Sequence, residues 1–158
     1  MKKLKEILGP ALTCIYFLQY WLSVKWNYLE LLQGNQNFKR WSGLVLILLI
    51  IIQWSLSLGR IVYEIKDQTK LRIVNFHKWI GALAPVLFYL HSIKPGYGIL
   101  FFLTTIFFLD LIGGYLNYIH YFKSISRYYF LWLLFHILLS VVVLIVALLH
   151  IWIVFSYK

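Results

Sequence analysis

Four of the five histidines form two pairs with the same spacing. His77 and His91 lie fourteen residues apart in the sequence, and so do His136 and His150. Imidazole is the commonest metal-binding side chain in proteins. Fourteen residues is close to four turns of an α-helix, so each pair would lie nearly on one helix face, ~21 Å apart. The spacing predicts two metal-ligand positions on each of two helices.

Corresponding histidines of the two pairs are also equally far apart in the sequence. His136 follows His77 by 59 residues, and His150 follows His91 by 59 residues. If the two helices pack side by side in the same direction, the histidines form two facing couples. Each couple can hold a planar metal cofactor between two imidazoles, and haem iron ligated in this way is suited to electron transfer. The hydrocarbon core of a bilayer is ~30 Å thick, so one couple would lie in each leaflet. We predict two non-covalent haem b groups forming a path for electrons through a membrane.

The elements that must position these histidines are strongly apolar. Of the 158 residues, 62% are hydrophobic and 20% are aromatic, and the mean hydropathy is +0.79. A soluble domain of this size cannot bury so much apolar surface. We expect an all-α integral membrane protein, a single transmembrane domain over residues 1–158 without a soluble domain, with the haems between its third and fifth helices. The predicted spans are about 7–24, 41–58, 73–92, 99–119 and 129–155.

The net charge of +10 arises from lysines and arginines at the ends of these spans, so it does not indicate nucleic-acid binding. Ten of these cations fall on one side of the membrane and five on the other. This count predicts a plasma (inner) membrane protein with a cytoplasmic amino terminus and an outer carboxyl terminus. Both histidine helices would then run outward in parallel. The amino-terminal apolar run lacks a signal-peptide cleavage site, so we expect a retained first helix.

Several residues near the histidines suit a macrocycle with propionate groups. Arg72, Lys78 and Arg127 lie near the cytoplasmic ends of the spans and are candidate propionate contacts, although anchoring at the membrane interface is an equally good interpretation. Gly81 and Ser140 each follow a histidine by one helical turn and leave space beside it.

Two polar residues need a separate interpretation. Asp110 lies well inside the fourth span, where a carboxylate is costly, so it either bonds to neighbouring side chains or serves as a proton or quinone site. His120 has no partner at the repeated spacing and is interpreted as an interfacial residue. The single cysteine, Cys14, excludes an internal disulfide and a cysteine-ligated cluster.

Two segments carry a resemblance to a known family: His77-Lys78-Trp79-Ile80-Gly81 continued to His91, and Leu131-Trp132-Leu133-Leu134-Phe135-His136 continued to His150. Over about residues 40–156 the chain resembles the ferric-reductase-like transmembrane domain superfamily. That superfamily includes ferric reductases, NADPH oxidases and the haem-binding subunit of a methionine sulfoxide reductase system. The resemblance implies an inner haem on His77 and His136 and an outer haem on His91 and His150. It also implies electrons that enter from a cytoplasmic flavin and leave at the outer face.

The sequence departs from this family in two respects. Lys78 stands where the family has arginine, which changes the geometry of a propionate contact. No dinucleotide-binding signature occurs, and we expect no flavin or nicotinamide domain in this chain. The chain would therefore be an electron-transfer subunit of an oxidoreductase without catalytic residues of its own. A flavoprotein or a membrane quinol would supply the electrons. Other membrane or periplasmic subunits would complete the complex.

Other functions remain open on the sequence alone. A quinol-linked cytochrome b that anchors a respiratory or photosynthetic complex would use the same histidines. Pigment binding is a different class, but chlorophyll usually needs one axial ligand. A transition-metal transporter would want further ligands between the histidines of each pair. A purely structural membrane subunit would leave the repeated spacing without a reason.

Overall fold

The computed structural model describes residues 4–24, 26–62, 67–116 and 126–156, and this part of the chain is all-helical, without a strand. The all-α class predicted from the sequence is therefore confirmed. The helices in the described ranges are α1 (Leu4–Trp21), α2 (Asn27–Gly34), α3 (Gln36–Val62), α4 (Asp67–His91), α5 (Ile99–Leu116) and α6 (Ser126–Ser156).

Four of these helices are long and apolar enough to cross a membrane, and they correspond to the second to fifth predicted spans. The first predicted span forms α1, but α1 is not among the four. Its eighteen residues include Lys5, Glu6 and Gln19, which lower the average hydropathy of the helix. The prediction of a helical membrane protein is supported, and the number of five crossings stays a prediction. The four segments are Gln36–Ser55, Gln68–His91, Ile99–Leu116 and Tyr128–Ser156.

The short helix α2 was not predicted, because its eight residues are too few for a span. It ends at Gly34, and Asn35 lies between α2 and α3. The Asn35 side-chain oxygen accepts hydrogen bonds from the backbone N–H groups of Asn37 and Phe38, at 2.9 and 3.3 Å. This is the capping arrangement that satisfies the unpaired donors of a helix amino terminus. Asn35 therefore separates α2 from α3.

The chain divides into two compact units, and the first contains residues 1–93. Within it α4 packs against α1, α2 and α3. Tyr16 of α1 and Phe88 of α4 are buried, and their rings meet edge to face with centroids 5.5 Å apart. Ala82 and Ala84 of α4 are also buried. Small side chains on a membrane helix allow neighbouring backbones to approach closely.

The second unit contains residues 94–158 and consists of α5 and α6 with the segment that leads into α5. Residues 94–98, which lead into α5, are non-helical. Gly96 has a φ of +79°, and a Cβ there would lie 2.6 Å from the Leu100 Cβ, so only glycine fits. Buried Thr104 donates a hydrogen bond to the Pro95 carbonyl at 2.9 Å and fastens this segment to α5.

Candidate functional site

Each histidine pair lies within one unbroken helix. His77 and His91 are both in α4, where His91 is the last residue, and His136 and His150 are both in α6. All four side chains are half-buried. The helical spacing expected from the sequence therefore holds, with ~21 Å along each helix axis between the two histidines of a pair.

In the second unit, the His136 ring is held by Asp110 of α5. Its Nδ1 atom lies 2.7 Å from Asp110 Oδ1, and both side chains are less than one-fifth exposed. The other carboxylate oxygen, Oδ2, accepts a hydrogen bond from Ser140 Oγ at 2.9 Å. Ser140 lies one helical turn after His136, so one turn of α6 presents two groups to one carboxylate. Asp110 thus contacts a predicted metal ligand directly.

Trp132 and two glycines complete the surroundings of the His136 ring. The Trp132 ring stacks on it with centroids 5.9 Å apart and planes inclined by 16°. The Trp132 indole N–H donates a hydrogen bond to the Gly113 carbonyl at 2.6 Å, which fixes the indole against α5. A Cβ at Gly114 would lie 3.4 Å from His136 Cε1, so the imidazole lies directly against the α5 backbone.

The contact with Asp110 defines which nitrogen of His136 is available for a metal. The contact is an ion pair by distance and lacks hydrogen-bond geometry. A negative oxygen beside Nδ1 still favours the tautomer with the proton on Nδ1 and the lone pair on Nε2. Histidines that bind metals usually donate the other ring N–H to a carboxylate, a carbonyl or a water, which fixes the ring orientation. The Asp110 carboxylate lies beside Nδ1 of His136, in the place that such an orienting partner takes. The pairing was not predicted. The sequence indicated only that Asp110 either bonds to unspecified neighbouring side chains or serves as a proton or quinone site.

In the first unit, the His91 ring is held in a similar way by α3. Its Nδ1 lies 3.1 Å from Ser42 Oγ. The Ser42 hydroxyl also lies 3.1 Å from the Lys39 carbonyl. When it donates its proton to that carbonyl, it accepts a hydrogen bond from His91 Nδ1–H. A Cβ at Gly43 would lie 3.0 Å from His91 Cε1. In both His91 and His136, Nδ1 thus lies next to an oxygen of the neighbouring helix, and the ring contacts a glycine of that helix.

Buried Gln33 of α2 secures the end of α4 next to His91. Its amide nitrogen donates to the carbonyls of Tyr89 and Leu90, at 2.9 and 3.0 Å. Its amide oxygen accepts from the backbone N–H of Ile93 at 3.1 Å. The last carbonyls of a helix lack intrahelical donors, so Gln33 satisfies groups that would otherwise be buried and unpaired. Sequence reasoning missed this residue, since a single glutamine in a short connecting segment carries no signal.

The backbone at His77 is fixed from α3 by Gln53, whose amide nitrogen donates to the His77 carbonyl at 3.0 Å. Gly81 was expected to leave space beside His77. A Cβ at Gly81 would lie 3.6 Å from the Gln53 amide nitrogen, so Gly81 adjoins this glutamine. Ser140 was also expected only as a small residue, and its hydroxyl proves to be a hydrogen-bond donor to Asp110.

The predicted propionate contacts lie in the expected helices. Arg72 is exposed and Lys78 is half-buried, both on α4. Arg127 is in the first turn of α6, and its side chain lies outside the described part of the chain, as does the whole of His120. The couples His77–His136 and His91–His150 each join a residue of one unit to a residue of the other, and they stay predictions.

Within the described ranges, no three His, Cys, Asp or Glu side chains lie together as a metal-binding group. Comparison with models of known protein families, with curated proteins and with solved structures finds no match for this chain.

Proposed function

We propose that this chain is a di-haem b-type membrane cytochrome that passes electrons across the bilayer as a subunit of a larger redox system. The observation that carries the proposal is that the rings of His91 and His136 are oriented by similar contacts with a neighbouring helix. In each, Nδ1 lies within 3.1 Å of an oxygen of a neighbouring helix, which leaves Nε2 as the nitrogen proposed to bind iron. Each belongs to a pair with the same fourteen-residue spacing on an apolar helix.

The four paired histidines would hold two haem groups. His77 and His136 would ligate an inner haem, and His91 and His150 an outer one. The chain has one cysteine, so there is no Cys-x-x-Cys-His sequence for covalent attachment and the haems would be of the b type. A bis-histidine haem supplies reversible one-electron chemistry at a potential set by ligand hydrogen bonding and burial.

The protein's contribution is to hold the ligands and exclude water. Gly43 and Gly114 allow each imidazole to lie against a helix backbone, which fixes the position of its ring. Trp132 covers one face of the His136 ring. Arg72, Lys78 and Arg127 are the cations proposed to pair with propionates near the cytoplasmic surface.

The proposed setting is the plasma (inner) membrane, with the amino terminus in the cytoplasm and the carboxyl terminus outside. Electrons would enter from a cytoplasmic-side donor and leave to an acceptor at the outer face. The donor is a flavoprotein, and the alternative is a membrane quinol. Reduction of the purified chain by a quinol alone would favour a quinol-linked anchor subunit, whereas reduction that requires a flavoprotein would favour the ferric-reductase-like system.

A reduced-minus-oxidised visible spectrum of the purified chain, with a pyridine haemochrome count, tests the proposal. We expect low-spin b-type α bands and two haems per chain. His91→Ala should lose one haem and retain the other, and His120→Ala, which changes the one histidine outside the repeated spacing, should retain both. A chain that binds no haem when expressed with ample haem supply would refute the proposal. Two haems retained in His91→Ala would refute the ligand assignment.

A further inference from the structure

His91 and His136 differ in the group that lies next to Nδ1. His136 faces a carboxylate, Asp110, at 2.7 Å, whereas His91 faces the neutral hydroxyl of Ser42 at 3.1 Å. Both rings also touch a glycine of the neighbouring helix. One position therefore has an anionic partner for the imidazole, and the other has a neutral one.

We infer that Asp110 is a positioning residue that makes His136 the stronger electron donor and lowers the reduction potential of the haem that His136 ligates. The inference rests on the proposed function, and it adds a role for a residue that contacts the ligand and not the haem. Asp110 fixes the Nδ1–H tautomer and also places a negative charge beside the ring.

The physical reason is electrostatic. A carboxylate beside Nδ1 attracts the proton on that nitrogen and increases the electron density at Nε2. A more basic ligand stabilises ferric iron relative to ferrous iron, so reduction becomes less favourable. The effect is large where water is scarce, because charges interact more strongly at low dielectric constant. The Asp110 and His136 side chains are only 17% and 19% exposed.

Ser140 adjusts the strength of this effect. Its hydroxyl donates to Asp110 Oδ2 at 2.9 Å and so stabilises part of the negative charge on the carboxylate. Removing that donor should leave Oδ1 a stronger acceptor for His136. Loss of Ser140 and loss of the Asp110 charge should therefore shift the potential in opposite directions. A role of Asp110 as a simple bridge between α5 and α6 predicts no such opposition.

The tautomer can be tested without haem. The haem-free chain is labelled with ¹⁵N-histidine and studied by nuclear magnetic resonance. The chemical shifts of His136 should show a protonated Nδ1 and an unprotonated Nε2. The His136 signals are assigned by their absence in His136→Ala. Asp110→Asn retains a carbonyl acceptor and should keep this tautomer. Asp110→Leu removes the acceptor and should produce a mixture of tautomers. An unchanged tautomer in Asp110→Leu would overturn the positioning role.

The potential is tested by spectroelectrochemical titration of the full-length chain in lipid nanodiscs. Two one-electron steps are expected, and the His136 step is assigned in the His91→Ala background. Asp110→Asn should raise the reduction potential of that step by about 59 mV, which corresponds to a tenfold larger equilibrium constant for a one-electron couple. Ser140→Ala should lower the same step by a smaller amount. Ser42→Ala is the matched control and should affect only the other step.

The outcomes separate this inference from the proposed function. No haem in the wild-type chain would defeat the proposed function. Two haems with the His136 step unmoved in Asp110→Asn would defeat the inference and leave the proposed function standing. If Asp110→Asn does not fold, Ser140→Ala decides, because an upward or absent shift of the His136 step contradicts the inference and a downward shift supports it.

Discussion

Replacing Gly43 with alanine tests whether α3 holds the His91 ring in one position. The new Cβ would lie 3.0 Å from His91 Cε1 and 3.4 Å from Nδ1. Carbon atoms pack best at ~3.5–4.0 Å, so the ring must retreat by roughly 0.5 Å or more. It cannot retreat without cost, because Nδ1 and the Ser42 hydroxyl form a hydrogen bond.

The expected cost follows from these distances. A retreat of roughly 0.5 Å would stretch the 3.1 Å contact with Ser42 Oγ to about 3.6 Å, where it is no longer a hydrogen bond. Loss of that bond costs about 0.5–1.5 kcal/mol, and overpacking a well-filled site costs about 1–3 kcal/mol. The better helix propensity of alanine offsets up to about 1 kcal/mol. We expect a net decrease in the free energy of unfolding of about 1–3 kcal/mol.

The assay is unfolding in mild detergent by titration with SDS, followed by far-ultraviolet circular dichroism. Two other glycines provide matched controls. At Gly34 a Cβ meets nothing within 4 Å, and at Gly114 it would lie 3.4 Å from His136 Cε1, an ordinary contact. Gly34→Ala should be neutral or stabilising, and Gly114→Ala should be close to neutral.

The same substitution in a Ser42→Ala background isolates the cause. Without the hydroxyl the His91 ring is less constrained, so Gly43→Ala should cost less there than in the wild-type chain. The difference between the two costs should be about 0.5 kcal/mol or more, as for residues in direct contact. Equal costs in both backgrounds, or a Gly43→Ala variant as stable as Gly34→Ala, would refute the reasoning.

Three further substitutions probe contacts within the two units. Gln33→Ala removes the acceptor of the Ile93 N–H and the donors to the end of α4; it should destabilise the protein by about 1–3 kcal/mol. Hydrogen exchange at the Ile93 amide should also accelerate, and unchanged exchange would contradict the assigned cap. Gly96→Ala combines a left-handed backbone with a contact at 2.6 Å and should cost about 2–4 kcal/mol. Gly98→Ala, which has a positive φ but open space, should cost less in the same unfolding assay, and equal costs would show that the contact does not matter. Trp132→Phe removes the hydrogen bond to Gly113 and should cost about 1 kcal/mol. The control is Trp152→Phe at an exposed site, and equal unfolding midpoints for the two variants would contradict this prediction.

The helices and the positions of the histidines in them were predictable from the sequence. Long apolar runs must form helices in a membrane, because every backbone polar group has to be paired within its own segment. The fourteen-residue spacing then placed His77 with His91 in α4 and His136 with His150 in α6. The all-helical class rests on the same argument. The short helix α2 was missed because its eight residues carry neither the length nor the hydropathy of a span.

The partners of the histidines were not predictable in this way. Pairing of Asp110 with His136 depends on how α5 and α6 are rotated about their axes when they pack. A helix with a distinct apolar face indicates that rotation in its sequence. Both α5 and α6 are apolar nearly all round, so their sequences do not indicate which face meets the neighbour.

The sequence by itself determined a helical membrane protein with four histidines in two matching pairs. Only the tertiary structure decided that Ser42 hydrogen-bonds to Nδ1 of His91, that Asp110 lies against Nδ1 of His136, and that Gln33 caps α4. Local sequence specifies which backbone groups pair inside a helix. Side-chain contacts between helices depend on relative rotation and translation, which arise from packing over the whole length of each helix.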